Sequence, residues 1–285
     1  MDTAETRIRT ITLPGGERIP ALGIGTWNMG DHRQTRAGEV AALQLAVDLG
    51  MTVVDTAEMY GNGAAESLVA EALGDRRERI FLVSKVLPQH ATRRGTISAC
   101  EASLRRLNTD RLDLYLLHWR GGVPLADTLD AFTRLKRDGK IRHWGVSNLD
   151  TDDMNELAAL GPHGETPAVN QVLYNLTRRG IEFDLLPWCS ARGIPIMAYS
   201  PLEQSRLSTH RTLRDMAARL GRTPSQIALA WVLRQPGVMA IPKAGRDEHV
   251  RENRAALDVS LTPEDLAELD TAFRPPTRKR PLEMI

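Results

Sequence analysis

The sequence contains only two cysteines, Cys100 and Cys189, which form neither a CxxC pair nor a disulfide framework. Such sparse cysteine use is typical of proteins in a reducing compartment. The chain also lacks an apolar run as long as a membrane span, and its charged N-terminus lacks the apolar core of a signal peptide. We therefore expect a cytoplasmic protein with no membrane partner.

An excess of charge of one sign is missing as well. Lys and Arg number 37 against 36 Asp and Glu, which gives a net charge of +1. A chain without a positive excess generates no strong field for nucleic acid, so we expect no nucleic-acid partner. The histidines show neither HxH nor HExxH spacing, and we expect no metal site.

The dinucleotide-binding fingerprint GxGxxG is also incomplete. Gly23 and Gly25 begin such a pattern, but Asn28 stands where the third glycine would be. A Rossmann fold is therefore not favoured.

Short apolar runs alternate with longer segments of helical periodicity, in a chain of 285 residues of which 42% are hydrophobic. This alternation predicts βαβ units and a parallel sheet. Eight predicted strands end near Gly25, Asp55, Lys85, His118, Ser147, Gln171, Tyr199 and Lys243. Six of the seven steps between these strand ends are of similar length and the last one is enlarged, which favours an α/β fold of the (β/α)8 TIM barrel type. We predict one domain over residues 1–285, with a doubly wound sheet as the alternative.

Additions are predicted at both ends of the barrel. Residues 10–13 and 18–19, joined by Pro14-Gly15-Gly16, indicate an N-terminal β-hairpin. Two helical stretches lie between Leu207 and Arg234, and an extra C-terminal helix opens with the capping-type pattern at Thr262. Residues 274–280 are rich in Pro and Arg and are predicted to form an extended tail.

Ionisable residues follow several predicted strands, at the barrel end where catalytic groups collect. Asp55, Lys85 and His118 end three successive strands, and Tyr60 follows Asp55 by five residues. Each alone has an ordinary structural interpretation as a cap, a solvated charge or a packing residue. Together they could donate a proton, because an ammonium near a phenol stabilises the phenolate and a histidine can polarise a carbonyl.

Six motifs occur in an order and spacing that resemble the aldo-keto reductase superfamily. They are VDTAEMYG at 54–61, SKV at 84–86, LYLLHW at 114–119, GVSN at 145–148, NQ at 170–171 and IPK at 241–243. The resemblance extends from residue 23 to residue 253 and is strongest to bacterial reductases of small aldehydes such as methylglyoxal.

The resemblance implies a catalytic tetrad of Asp55, Tyr60, Lys85 and His118 in a TIM barrel. Tyr60 would be the proton donor, Lys85 paired with Asp55 would lower its pKa, and His118 would orient the carbonyl. NADPH would be the cofactor, with weaker use of NADH. The implied cofactor-binding residues are Thr26, Trp27, Ser147, Asn148, Gln171, Tyr199, Ser200, Leu202, Ile241, Lys243, Ala244, His249, Glu252 and Asn253. The implied substrate residues are Trp27, Tyr60, His118 and Trp119.

The chain departs from the family pattern where the adenosine end of the cofactor would lie. Ala244 follows Lys243 in place of a common Ser or Thr, and His249 stands where an arginine commonly binds the 2′-phosphate. Arg246 and Arg251 lie nearby and could replace it. We expect a preference for NADPH that is looser than usual.

The sequence thus predicts a monomeric NADPH-dependent reductase of small aldehydes, ketones or dicarbonyls. Two alternatives remain, a cofactor-binding regulatory subunit with little turnover and a metal-dependent hydrolase using His118 and Asp55. Short segments after Trp119 and after Tyr199 predict a site for small substrates. The tail over 273–285 could instead close a deeper site.

Overall fold

A computed structural model describes residues 8–160 and 166–285. Its strands are β1 (Thr10–Thr12), β2 (Arg18–Pro20), β3 (Ile24–Gly25), β4 (Val53–Asp55), β5 (Phe81–Val86), β6 (Leu112–Leu117), β7 (Ile141–Ser147), β8 (Asn170–Leu173), β9 (Ile196–Tyr199) and β10 (Val238–Ala240). Its α-helices are α1 (Arg36–Asp48), α2 (Ala64–Leu73), α3 (Arg93–Leu107), α4 (Leu125–Arg137), α5 (Thr151–Ala159), α6 (Leu185–Ala191), α7 (Arg211–Leu220), α8 (Pro224–Leu233), α9 (Asp247–Ala255) and α10 (Pro263–Ala272).

Strands β3 to β10 form one parallel sheet in sequential order. Backbone hydrogen bonds join its two ends, since the Gly23 amide donates to the Ala240 carbonyl at 2.9 Å and the Gly25 amide to the Pro242 carbonyl at 3.1 Å. The sheet therefore closes into a barrel, and the prediction of a (β/α)8 barrel is confirmed, whereas the doubly wound alternative is wrong.

Glycine at position 23 is required by this closure. A Cβ there would lie 2.5 Å from the Val53 carbonyl oxygen and 2.8 Å from the Val53 Cβ. Such separations are far inside van der Waals contact, so a side chain would push β3 away from its neighbour β4.

The strands are apolar at consecutive positions because the barrel interior covers one face and the helices cover the other. All six residues of β6 are buried. Helix α4 shows the complementary pattern, since Leu125, Leu129, Phe132 and Leu135 face the barrel. This packing brings the C-terminal ends of the eight strands to one rim.

Most predicted elements are confirmed, including the hairpin of β1 and β2 and the capping box that opens α10. Helix α9 was not predicted, because Val250 and Asn253 are its only buried residues and it shows little periodicity. The connection after β9 is longer than predicted: residues 203–209 form a 3₁₀ segment and α7 begins only at Arg211. The single domain over 1–285 stays a prediction.

Among the described residues, no helix combines the length and the apolar character needed to cross a bilayer.

Candidate active site

A cavity of about 390 Å³ opens at the C-terminal rim of the barrel. Thirteen of the residues predicted for the site line it, namely Trp27, Asp55, Tyr60, His118, Trp119, Ser147, Asn148, Gln171, Tyr199, Ser200, Leu202, Ile241 and Lys243. Nine further lining residues were not among the predicted site residues, although the last two belong to the tail that the alternative prediction placed over the site. These nine are Gly25, Asn28, Met59, Pro201, Gln204, Ser205, Pro242, Met284 and Ile285.

Lys85 lies beneath the cavity floor, at the end of β5, and is fully buried. Its Nζ lies 2.8 Å from Asp55 Oδ2, 2.8 Å from the Thr56 carbonyl oxygen and 3.1 Å from Tyr60 Oη. An ammonium has three N–H donors, and these three acceptors satisfy all of them. The phenol oxygen of Tyr60 therefore accepts from Lys85, which leaves its own O–H free to point into the cavity.

Local backbone geometry places Tyr60 above Lys85. Tyr60 opens a short 3₁₀ segment that ends at Gly63, directly before α2. Gly61, Asn62 and Gly63 all adopt positive φ, which glycine and asparagine tolerate better than other residues. This turn returns the chain to the rim directly after β4.

The charges of this group depend on one another. Burial raises the pKa of the Tyr60 phenol, and the Lys85 ammonium opposes that rise. The sequence predicts that Lys85 lowers this pKa, and Lys85 does act in that direction, but burial outweighs it. Burial alone would lower the pKa of Lys85, whereas Asp55 and Tyr60 raise it overall. Lys85 therefore stays an ammonium and Tyr60 stays a protonated phenol at neutral pH.

His118 follows β6 and completes the group. Its ring meets the Tyr60 ring edge-on, with 5.9 Å between centroids, and lies 4.8 Å from the Trp119 ring. Burial and the charge of Lys85 lower the pKa of His118 to about 2, so the imidazole is neutral. A neutral imidazole offers one N–H and can orient a carbonyl oxygen by hydrogen bonding. Its Nδ1 is buried without a hydrogen-bond partner in the described part of the chain.

Amide and hydroxyl groups on or directly after β7, β8 and β9 line the cavity beside these residues. Gln171 Nε2 donates to Asp55 Oδ1 at 2.8 Å, and Ser147 Oγ donates to the Gln171 carbonyl at 2.8 Å. Asn148 Nδ2 donates to the His118 carbonyl at 3.1 Å, while Tyr199 Oη donates to Asn148 Oδ1 at 3.0 Å. These side chains hold one another in place, and they bring amide and hydroxyl groups next to the Asp55–Lys85 pair.

Six residues predicted for the site do not line the cavity. These are Thr26, Lys85, Ala244, His249, Glu252 and Asn253. Thr26 is buried and its Oγ1 donates to the Asp55 carbonyl at 3.0 Å. His249 Nε2 lies 3.2 Å from Arg246 and 3.5 Å from Glu248. Glu252 accepts from Thr223 Oγ1 at 2.5 Å.

Lys243 is the only Lys or Arg side chain among the residues that line the cavity. It follows β10, where Gly25 and Lys243 form a bridge between the two ends of the sheet. A single cation at this rim could bind a phosphate group.

The chain matches the family model described as the aldo/keto reductase family over residues 21–274. It is 50% identical to methylglyoxal reductase YeaE of Escherichia coli over 282 residues, covering 97% of this chain and 99% of the relative. It is 34% identical to glyoxal reductase of Bacillus subtilis over 263 residues, covering 92% and 91%. Among solved structures, an aldo-keto reductase from Klebsiella pneumoniae in complex with NADPH is 51% identical, with a TM-score of 0.95 and coverage of 98% and 100%.

Proposed function

This chain belongs to the aldo/keto reductase family, and on that premise we propose that it reduces small aldehydes and dicarbonyls such as methylglyoxal with NADPH. As a member of the family it is an NADPH-dependent oxidoreductase. One observation carries the assignment of Tyr60 as the proton donor for this reduction. The buried Lys85 ammonium donates to Asp55, Thr56 and Tyr60 at once, which leaves the Tyr60 O–H as a proton donor facing the cavity.

Tyr60 gives its proton to the carbonyl oxygen of the substrate, whose C=O bond becomes C–OH. When bound, NADPH supplies the hydride that reaches the carbonyl carbon. Lys85 stabilises the phenolate left on Tyr60, because its fully buried ammonium lies 3.1 Å from the phenol oxygen. Asp55 holds the ammonium in position and keeps it charged.

His118 orients the substrate and does not donate the proton in this proposal. Its pKa of about 2 leaves almost no imidazolium at neutral pH. A neutral N–H aimed at the carbonyl oxygen can polarise the bond and fix the angle at which the carbon faces the hydride.

The residues present fit the proposed cofactor. Ser147, Asn148 and Gln171 would hold the nicotinamide carboxamide, and Tyr199 would lie against the ring. Their amide and hydroxyl groups, together with the cation of Lys243, match a carboxamide and a phosphate. Trp27, Ser200, Leu202 and Ile241 would line its path, whereas Thr26 and Ala244 are buried and do not line the cavity. His249, Glu252 and Asn253 on α9 would meet the adenosine end.

The apolar part of the cavity supports small substrates. Trp27 and Trp119 stand beside Tyr60 and His118, and Met284 and Ile285 of the tail add apolar surface at the mouth. A compact apolar wall stabilises a small carbonyl compound, whereas a long ligand would leave much of its surface in water.

Oxidation of NADPH by the purified protein with a panel of carbonyl compounds tests the proposal. We expect methylglyoxal and small aromatic aldehydes to give higher kcat/KM than steroids or sugars, and NADPH to be preferred over NADH. Better turnover of a steroid or a long-chain ketone than of every small aldehyde would contradict the substrate assignment. Cofactor binding without turnover of any aldehyde would instead favour a regulatory subunit.

A further inference from the structure

Two consecutive arginines after β8 hold the C-terminal segment, residues 273–285, at its beginning and near its end. Arg179 Nη1 donates to the Phe273 carbonyl at 2.5 Å and to Asp270 Oδ1 at 2.7 Å. Arg178 Nη1 donates to Glu283 Oε1 at 2.7 Å. Between these points Lys279 pairs with Asp152 at 2.9 Å. The segment is thus held against the barrel by charges at three places.

Arg178 also binds residues 200–205, which form a second wall of the cavity. Its Nε and Nη2 lie 3.1 and 3.0 Å from Glu203 Oε1. Of residues 200–205, all except Glu203 line the cavity. Glu203 points away from the cavity instead, and its other oxygen accepts from Asn175 Nδ2 at 2.7 Å.

The backbone of this wall adopts an unusual conformation. Ser200, Glu203, Gln204 and Ser205 have positive φ values of 46°, 48°, 54° and 70°. Non-glycine residues rarely occupy this region, and they remain there only where surrounding contacts fix them. The buried Glu203 side chain and its bonds to Arg178 and Asn175 supply such contacts.

We propose that Arg178 is a specificity-determining residue, because its guanidinium joins Glu203 of the 200–205 wall to Glu283 of the tail and so seats Met284 and Ile285 at the mouth of the cavity. Arg178 touches neither substrate nor cofactor in this assignment, and it acts by positioning. The proposal rests on the proposed function, since it explains how a reductase of small carbonyls restricts access by larger ones.

Glu283→Ala tests this link. Its carboxylate is 42% exposed, so truncation removes little packing. The chain offers a matched control in Glu268→Ala. Glu268 is 43% exposed, pairs with Arg219 at 2.8 Å and shares that arginine with the buried Asp265, just as Glu283 shares Arg178 with the buried Glu203.

Two readouts are compared, and one of them does not need activity. The first is the ratio of kcat/KM for methylglyoxal to kcat/KM for 4-biphenylcarboxaldehyde. Exposed ion pairs contribute modestly to the free energy that holds a segment in place, so we expect Glu283→Ala to lower this ratio about fivefold and Glu268→Ala to leave it unchanged.

The second readout is the rate at which trypsin removes the tail, followed by intact mass. Arg274 and Arg280 precede proline, so the available sites are Arg278 and Lys279.

We expect trypsin to cut the tail faster in Glu283→Ala than in the wild type and in Glu268→Ala. Faster cutting with an unchanged ratio would overturn the proposal, because a released tail would then not affect selectivity. A changed ratio without faster cutting would overturn it as well, since the tail would not be the cause. Failure of the proposed function is a separate result, because the wild type would then turn over neither aldehyde with NADPH.

Discussion

Lys85 is held as a buried ammonium by three acceptors, and the pKa values around it set the pH range in which the site can work. The proposed proton donor, Tyr60, must carry its proton, and burial raises the pKa of its phenol above the ordinary value. His118, with a pKa of about 2, is already neutral in mild acid. Neither group therefore changes charge near neutral pH.

We expect kcat for aldehyde reduction to stay flat through the neutral range and to fall only above about pH 10, the ordinary pKa of a phenol. Lys85→Met should lower kcat in this flat range by about 10²-fold or more, because the phenolate loses the ammonium that stabilises it. The check is a set of kcat values across pH for the wild type, Lys85→Met and the exposed control Lys136→Met. A change in the kcat of the wild type centred near pH 7 would contradict the assignment of Tyr60 and His118.

We expect the choice between NADPH and NADH to depend on single residues as well. Arginine binds a phosphate with two parallel hydrogen bonds, which histidine cannot reproduce. His249 already contacts Arg246, and Arg246 also lies 3.3 Å from Glu248. A carboxylate beside the proposed phosphate position disfavours a second negative charge there.

His249→Arg should therefore raise the ratio of kcat/KM with NADPH to kcat/KM with NADH. Thr271→Arg, which adds the same group to the exposed face of α10, is the control. An unchanged ratio in His249→Arg would place the phosphate elsewhere, with Lys243 and either Arg246 or Arg251 as its partners.

At the scale of elements, closure of the sheet between β3 and β10 decides whether the strand ends share one rim. Gly23 makes this closure possible, since a Cβ would collide with the Val53 carbonyl. The buried amide of Gly23 also bonds the Ala240 carbonyl of β10. A shift of the backbone at Gly23 would therefore weaken its contacts with both β4 and β10.

We expect Gly23→Ala to lower the free energy of unfolding by about 1–3 kcal/mol, as overpacking of a rigid core does. Gly74→Ala is the matched control, because Gly74 has helical backbone angles and nothing lies within 4 Å of a Cβ there. That control should be neutral or slightly stabilising. The check is the thermal unfolding of the two variants. Equal melting temperatures would show that the contact between Gly23 and Val53 of β4 is not tight.

At the scale of the whole molecule, the alternation of strands and helices and the shared rim were predictable because both depend on local signals. Closure of the sheet depends on contacts between β3 and β10, so the doubly wound alternative stayed open at the level of sequence. Apolar runs ending in Asp55, Lys85 and His118 mark strands and rim at once. Met284 and Ile285 carry no such signal, since they reach the cavity only through the fold of the entire tail. Sequence likewise cannot tell how far burial of Tyr60 offsets the effect of Lys85, because that balance depends on packing.

The central claim is that this reductase uses Tyr60 as its proton donor, and Tyr60→Phe measures it most directly. The variant and the wild type are compared for methylglyoxal-dependent oxidation of NADPH, with the Kd for NADPH from quenching of tryptophan fluorescence. General acid catalysis typically contributes about 10²–10⁴-fold, so we predict a loss of kcat of that order while the Kd for NADPH stays within about twofold. A variant that keeps more than roughly a tenth of the wild-type kcat would contradict the account.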